Sequence, residues 1–277
     1  MTKLNVIIVN YRTPQLVERC VRSIAEHGVA AMQDVIVVDN ASGEGIVDQL
    51  RAALPDVRLI ASETNGGFGA GINIGLEAVS SEYVLILNPD TYFLRNSTAQ
   101  LLSLLDADSQ IGIAGLDLVY PDGSRQFSAR RFYSLLDVAG RRLRLVGKLT
   151  PKSMRRHLML EHWQKNKPFD AEWILGTGFI IRTDLIRKLG GMDERYFLYL
   201  EDVDLCARTW CADYRVICVP GEELVHDHQR SSASGPFSWS GRQHLKSLRH
   251  FWRKFPLPLF KQPGIDGIRG HASPMKS

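Results

Sequence analysis

Four short stretches of the chain place carboxylates or imidazoles at spacings that can do chemistry. In VVDNAS, Asp39 closes an apolar run; in LILNPD, Asn88 and Asp90 flank a proline; in YLEDVDLCAR, three acids open a helical pattern; in LVHDHQRSS, His226 and His228 stand two apart. A proline confines the residue before it to extended backbone, and side chains two apart on an extended chain share a side. Asn88 and Asp90 are therefore expected to project together from the end of a buried strand, where open α/β sheets meet their ligands. Asn, Pro and Asp also compose ordinary turns, so a turn and a site both fit this stretch. Asp39 offers the same choice, between an acceptor for a base N–H or ribose hydroxyl and an Asx-turn.

Glu201, Asp202 and Asp204 suit the first turn of a helix, where acids complement the macrodipole, and Glu201 or Asp204 can pair with Arg208. The aromatic and apolar residues ahead of them would also desolvate a carboxyl and raise its pKa toward that of a general base. Asp202 is one position removed from the face shared by the other two and can point into a cleft. His226 and His228 suit a metal or phosphate contact, but there is no H-E-x-x-H and no cysteine at zinc-ligand spacing. GGFGAGINIG has Ile72 where a G-x-G-x-x-G starting at Gly67 needs glycine, and no G-x-x-x-x-G-K-[ST] occurs, which sets aside the dinucleotide fingerprint and the ATP-type phosphate loop. The glycines serve either a close backbone approach to a ligand or tight helix packing.

The elements that must hold these residues alternate strand and helix. Buried strands are predicted over 4–10 and in the run ending at Asn88, further strands over 34–40 and 57–62, and helices over 14–27 and 45–54, with the glycine-rich 65–75 leading into a third. Thr13 and Pro14 supply a cap and a first-turn proline for the first helix. This is an α/β pattern, a mostly parallel central sheet with helices on both faces. Beyond residue 110 the rhythm changes: a strand over 111–120, loops and one or two amphipathic helices to about 165, a strand and short helix within 172–191, a helix over 201–211, a strand over 214–220, then the basic-aromatic helix of GRQHLKSLRHFWRKFPLPLF and a disordered tail from Pro263.

A chain of 277 residues with 44% hydrophobic and 23% charged content buries one generous core, or a core with a smaller subdomain. A net charge of +4 does not call for a nucleic-acid partner. The cations are concentrated in 125–156, where Asp137 is the one acid. Cys20, Cys206, Cys211 and Cys218 form no C-x-x-C pair, which fits a reducing cytoplasm. No signal-peptide pattern or membrane-length apolar run is present, so any membrane contact is expected to be peripheral.

Taken together and in order, VIIVNYRT, VVDNASG, NGGFGAGINIG, LNPD, GTGFIIR, FLYLEDVDLCAR and VHDHQRSS resemble glycosyltransferase family 2, with the GT-A fold, and within it the bacterial rhamnosyltransferase-like branch. The resemblance covers roughly residues 4–255. It implies a nucleotide-sugar-binding half over 1–110, a catalytic and acceptor half of the same domain over 111–235, a basic amphipathic helix over 236–262 and the tail 263–277. It also implies inverting transfer of a sugar from a nucleoside diphosphate, with dTDP-rhamnose the favoured donor, to a glycan or polyprenyl-diphosphate-linked acceptor of cell-surface polysaccharide.

By the same resemblance Asn10, Tyr11 and Asp39 hold the nucleoside, Asn65, Gly66 and Gly67 line the donor site with Asn88, and Gly176, Thr177 and Gly178 form the donor–acceptor boundary. Asp90 and His226 associate with a divalent cation, Mg or Mn, while Asp202 is the catalytic base with Glu201 beside it. Asn88 stands where many members have the first Asp of D-x-D, which makes this metal site less anionic. Ile72 stands where many carry arginine. A UDP-sugar donor is the alternative within the class. A sugar nucleotidyltransferase is disfavoured because NYRTPQL is not a glycine-rich basic loop, and a non-catalytic sugar-nucleotide-binding module because the Glu201-Asp202 pair is intact. The basic segment 125–156 and HFWRKF suit adsorption to an anionic membrane surface, on the inner face of the bacterial cytoplasmic membrane. Oligomeric state is not legible in the sequence.

Overall fold

The computed structural model describes residues 2–134, 151–227 and 238–270. His228 and residues 135–150, half of the 125–156 segment, lie outside the described residues. Four parallel strands begin the fold: β1 (Leu4–Asn10), β2 (Val35–Asn40), β3 (Arg58–Ser62) and β4 (Tyr83–Leu87), paired β3-β2-β1-β4. Three of them are buried along their whole length, as continuous apolar runs covered on both faces must be. Alternation splits β1 between two cores: Val6 and Ile8 pack with Val17, Cys20 and Ile24 of α1 (Pro14–Glu26), and Ile7 and Val9 with Ile72 and Leu76 of α3 (Phe68–Leu76). Between β2 and β3 runs α2 (Glu44–Ala53). Thr13 does not cap α1 with its side chain; its hydroxyl donates to Asn10 Oδ1 at 3.0 Å, which ties the start of the helix to the end of β1.

The glycine-rich stretch is largely explained by packing. A Cβ at Gly71 would lie 2.6 Å from Val9 Cγ1 and one at Gly75 2.8 Å from Ile7 Cγ2, so these two glycines let α3 lie directly on β1.

The sheet continues as β10-β6-β11-β5 from strands that follow β4 in sequence: β5 (Thr91–Tyr92), β6 (Ile111–Val119), β10 (Gly178–Arg182) and β11 (Arg215–His226), with α4 (Ala99–Ala107) between β5 and β6. The short strands β7 (Ala129–Arg130) and β9 (Trp173–Ile174) pair with each other, and β8 (Phe169–Asp170) pairs with β11. The parallel rhythm of the first half gives way here: β10 is antiparallel to β4 and β6, whereas β11 runs parallel to β6. All of β1, β2, β4, β6 and β11 therefore end at one edge, and β10 begins there. β11 is longer than the expected strand because an irregularity between Cys218 and Glu223 lets it turn and pair again, as far as Val225 with Val119.

The remaining α-helices among the described residues are α5 (Pro151–His157), α6 (Leu160–Trp163), α7 (Thr183–Lys188), α8 (Glu201–Cys211), α9 (Trp239–Lys254) and α10 (Gly264–Arg269). The last of these corrects the expectation of a disordered tail from Pro263. Ile265 and Ile268, one helical turn apart, reach the core cluster, and Arg269 Nε donates to the Trp210 carbonyl at 2.9 Å. Residues 271–277 lie outside the described part.

Two cations of the basic stretch, Arg125 and Arg131, face inward, whereas Arg155 and Arg156 are exposed. Arg125 binds Asp117 through Nε and Nη2, at 2.7 Å for the closer contact, and Arg131 lies 3.6 Å from Glu172.

Candidate active site

A cleft of about 1120 Å³ opens along the shared edge of the sheet. Its first wall follows from strand ends. β4 stops at Leu87 and the chain turns through Asn88-Pro89-Asp90, where the Thr91 hydroxyl closes on the Asn88 carbonyl at 2.7 Å. β5 then pairs antiparallel with β11 in the register Thr91↔His226. That register, reinforced by the Asp227 N–H on the Asp90 carbonyl at 2.9 Å, brings His226 Nε2 to 3.4 Å from Asp90 Oδ2. The stretch is thus both a turn and a part of the cleft.

His226 is held from behind by Gln126, a residue the motif reading passed over because it lies 100 positions away. The Gln126 amide nitrogen donates to the His226 carbonyl at 2.8 Å and to the Val119 carbonyl at 3.3 Å. Two carbonyls facing the NH2 group fix the orientation of the amide, so its oxygen is the atom 2.7 Å from His226 Nδ1. Nδ1 therefore carries a proton and donates, and in the neutral ring the lone pair sits on Nε2, toward Asp90.

The second wall is the start of α8. Tyr199 and Leu200 both adopt left-handed backbone, with φ of 69° and 70°, a cost of roughly 1–2 kcal/mol each for non-glycine residues. The pair bends the chain so that α8 begins at the cleft with Glu201 and Asp202. Glu201 is 9% exposed, and its Oε2 is buried with no hydrogen-bond partner. Asp202 Oδ2 accepts the Gly176 N–H at 2.9 Å and Oδ1 the Val203 N–H at 2.8 Å. Burial, with the adjacent Asp202 charge, pushes Glu201 up to about 8. Burial also raises Asp202, but the N–H groups of Gly176 and Val203 and the Arg130 guanidinium oppose the rise. Two neighbouring carboxyls are thereby separated in acidity, Asp202 being the one equipped to carry the charge.

Asp204 has a different fate. It is fully buried, with Arg208 Nε 2.6 Å from Oδ2, Tyr196 Oη 3.2 Å from Oδ1 and Lys254 also bound to Oδ1. Its work is to fasten α8 to α9.

Between the walls lies the Gly176-Thr177 loop. Gly176 holds Asp202, while the Thr177 carbonyl accepts the Asn88 N–H at 3.0 Å and its hydroxyl the Asn88 amide at 3.4 Å. Gly178 opens β10 and packs against Leu224 behind the loop.

At the nucleotide end, Tyr11, Asn65 and Gly67 line the cleft. Gly67, at φ 91°, abuts the Phe197 carbonyl, where a Cβ would come within 2.2 Å, and Gly66 lies behind it against Ala70. Asn10 and Asp39 are fully buried beneath the floor: Asp39 accepts the Asn10 amide at 2.6 Å and, three residues on, the Ser42 N–H at 2.9 Å, which closes the turn after the strand. The strand-end residue that reaches the cleft is Asn40. Its NH2 group donates to Asn65 Oδ1 and the Gly67 carbonyl, both at 2.9 Å, and its Oδ1 is buried with no hydrogen-bond partner. Asn40 sits beside Asp39 in the same motif, and nothing in the spacing says which of the two turns inward. Arg130 and Trp173, with the Arg130 guanidinium 5.3 Å from the Trp173 ring, and Trp239 and His244 of α9 complete the far side.

Known proteins resemble the chain in sequence and in fold. It matches glycosyl transferase family 2 over residues 5–183. It is 27% identical to the N-acetylglucosaminyl-diphospho-decaprenol L-rhamnosyltransferase of Mycobacterium tuberculosis, over 92% of this chain and 87% of that one. It is 27% identical to the rhamnosyltransferase WbbL of Escherichia coli K12, over 68% and 71%. Among solved structures, the mannosyltransferase PcManGT of Pyrobaculum calidifontis, in complex with GDP-Man and Mn2+, superposes with a TM-score of 0.62 at 18% identity, covering 97% of this chain and 69% of that one. GalNAc-T7 with UDP, GalNAc and Mn2+ gives 0.62 at 15% identity, covering 97% and 53%. The architecture is the GT-A fold that the sequence motifs led one to expect. With the family match running from β1 to the start of α7, the chain belongs to glycosyl transferase family 2.

Proposed function

We propose that this glycosyltransferase moves L-rhamnose from dTDP-rhamnose to a glycan or polyprenyl-diphosphate-linked acceptor during bacterial cell-surface polysaccharide synthesis, with inversion at the anomeric carbon. The observation that carries the reading is the single cleft in which the Asp90–His226 pair and the Glu201–Asp202 pair are joined by the Gly176-Thr177 loop. The rhamnosyl group is supported by the relatives in Mycobacterium tuberculosis and Escherichia coli, both rhamnosyltransferases by name, and the lipid-linked acceptor by the first alone, whose name contains N-acetylglucosaminyl-diphospho-decaprenol.

The residues at the first wall fit a divalent cation. Asp90 Oδ2 and the lone pair of His226 Nε2 are both acceptors, 3.4 Å apart, and two acceptors facing each other call for a cation or proton between them. One carboxylate and one imidazole leave room for diphosphate oxygens and water, as Mg and Mn sites on nucleotide substrates commonly do. A bound cation supplies positive charge that stabilises the departing diphosphate.

The chain's own residues account for the remainder. The Asp202 carboxylate takes the proton of the acceptor hydroxyl as that oxygen bonds to the anomeric carbon. The bond from that carbon to the phosphate oxygen breaks on the opposite side, and its electron pair leaves with the nucleoside diphosphate. One displacement inverts the centre, and no covalent sugar–protein intermediate is needed. Protonated Glu201 keeps the second charge out of the site and leaves Asp202 as the base. Asn40 Oδ1 offers a buried acceptor for a donor of the nucleotide.

Thermal-shift titration with dTDP-, UDP- and GDP-sugars, with and without manganese, tests the reading. Stabilisation by dTDP-rhamnose above the others, strengthened by manganese, is expected. Preference for a UDP-sugar would replace the donor, and no stabilisation by any nucleotide would remove the donor-site assignment.

A further inference from the structure

Helix α9 has two faces that do different work. At 100° per residue, Ser240, His244, Leu248 and Phe251 cluster on one side, and Leu245, Lys246, Arg249, Trp252 and Arg253 fall within an arc of about 120° on the other. The first side docks the helix: Phe251 is fully buried, the Ser247 hydroxyl donates to the Leu198 carbonyl at 2.8 Å, and Lys254 lies 3.0 Å from Asp193. Ser240, His244 and Leu248 also line the cleft. The second side is exposed, with Trp252 at 47% and Leu245 also open.

The chain leaving the helix adds to that side. Pro256 and Pro258 flank the buried Leu257, and Leu259 and Phe260 follow with Phe260 74% exposed, next to Lys261. Among the described residues no carboxylate pairs with Lys246, Arg249, Arg253 or Lys261. Large apolar and indole side chains set among unpaired cations, with no acid in the arc, are unfavourable in water and suited to the boundary of an anionic leaflet, where the rings enter the headgroup region and the cations meet phosphate. The cations described within 125–134 do not share this role: Arg125 and Arg131 are turned inward to Asp117 and Glu172, and Arg130 lies over Trp173 in the cleft.

We infer that the outward face of α9, with Leu259, Phe260 and Lys261, is an interfacial docking surface for an anionic phospholipid leaflet. Because the opposite face of the same helix lines the cleft, docking holds the cleft mouth at the membrane, where a lipid-linked acceptor presents its diphosphate and sugar. That last consequence rests on the proposed acceptor class; the docking itself does not.

The test uses the full chain and vesicles alone, without donor or acceptor, so it is independent of the glycosyl-transfer assignment. Sedimentation with vesicles of equal phosphatidylglycerol and phosphatidylcholine should show binding that weakens with salt and is nearly absent on phosphatidylcholine alone. Tryptophan emission should shift to the blue and be quenched by brominated lipid. Triple replacement Lys246→Glu, Arg249→Glu and Arg253→Glu should lower partitioning on the order of 100-fold, at about fivefold per charge removed. Leu259→Ser with Phe260→Ser should abolish the quenching. Transfer to a water-soluble acceptor should be unchanged in both variants. Absence of binding by the unaltered chain, or equal binding by the charge-reversed one, would overturn the inference. A concentration-dependent dimer broken by the same replacements, with no vesicle binding, would assign the face to a second copy of the chain instead.

Discussion

The Gly176 N–H donates to Asp202 Oδ2 at 2.9 Å, and the two residues are so close that a Cβ on Gly176 would lie 3.1 Å from that of Asp202. The contact fixes the carboxylate of the proposed base to the same loop that holds Asn88 through Thr177. It supports the charged form of Asp202 where burial alone would suppress it.

Asp202→Asn keeps the size of the side chain and removes its basicity. Turnover is expected to fall roughly 10²–10⁴-fold, the usual contribution of a positioned general base. Nucleotide binding by calorimetry should stay within about twofold of the unaltered protein. Loss of both together would make Asp202 a structural residue.

Glu201 gives a pH signature. Its carboxyl is protonated in folded and unfolded chains below its ordinary value of 4.5, but between there and about 8 the unfolded chain releases a proton that the folded chain retains. Stability therefore declines as pH rises through that window and levels off above it, by at most on the order of 1 kcal/mol per pH unit. Glu201→Gln removes this slope. Melting temperatures from pH 5 to 9 should show the variant gaining on the unaltered protein toward pH 8; a constant offset at every pH would mean that Glu201 does not titrate in this range.

The fold was legible wherever burial dictates composition. Uninterrupted apolar runs marked β1, β2 and β4, and their parallel order put Asn88 and Asp90 at the ligand edge. What could not be read depends on register and on the last bond of a strand. Asp90 meets His226 only because Thr91 pairs with it across β5 and β11, and no local spacing encodes that. Asp39 turns under the floor while Asn40 faces the cleft, a choice made by the Ser42 N–H. Helix α10 escaped notice because its six residues sit between Pro263 and Gly270 and owe their order to Ile265 and Ile268 reaching the core.

Asn88→Asp would add a second carboxylate beside Asp90. Affinity for Mn2+ in the presence of a nucleoside diphosphate should rise roughly tenfold, since ligand charge sets affinity at oxygen-rich sites. Asp90→Asn should abolish it. Electron paramagnetic resonance of free Mn2+ reads both, and unchanged affinity in Asp90→Asn would remove Asp90 from the metal site.

Gly71 tests the packing account of the glycines. Its backbone is ordinary helix, so Gly71→Ala brings a gain in helix propensity and one clash, the new Cβ 2.6 Å from Val9 Cγ1. Overpacking of this kind costs about 1–3 kcal/mol. Urea denaturation should show that loss, and Gly71→Ala combined with Val9→Ala should recover part of it. A stable single variant would mean that the glycine is there for a ligand.

Gln126 tests how His226 is prepared. Its amide cannot flip without turning the oxygen toward the His226 and Val119 carbonyls, so it holds the His226 Nδ1–H and leaves Nε2 directed at Asp90. Partners that fix the tautomer of a metal-binding histidine typically contribute 10–100-fold to affinity. Gln126→Leu should weaken Mn2+ binding by that factor while leaving nucleotide affinity without metal unchanged. Long-range 15N NMR of His226 supplies a readout independent of metal and activity: the unaltered protein should show the Nδ1–H form, and the leucine variant a mixture of tautomers. Gln126→Glu separates orientation from charge. Its carboxylate can still accept from Nδ1–H, but it loses both donations to the carbonyls, so it should restore the tautomer without restoring full affinity. If the leucine variant kept a pure Nδ1–H ring and normal metal binding, the register of β5 on β11 alone would be enough to set the site.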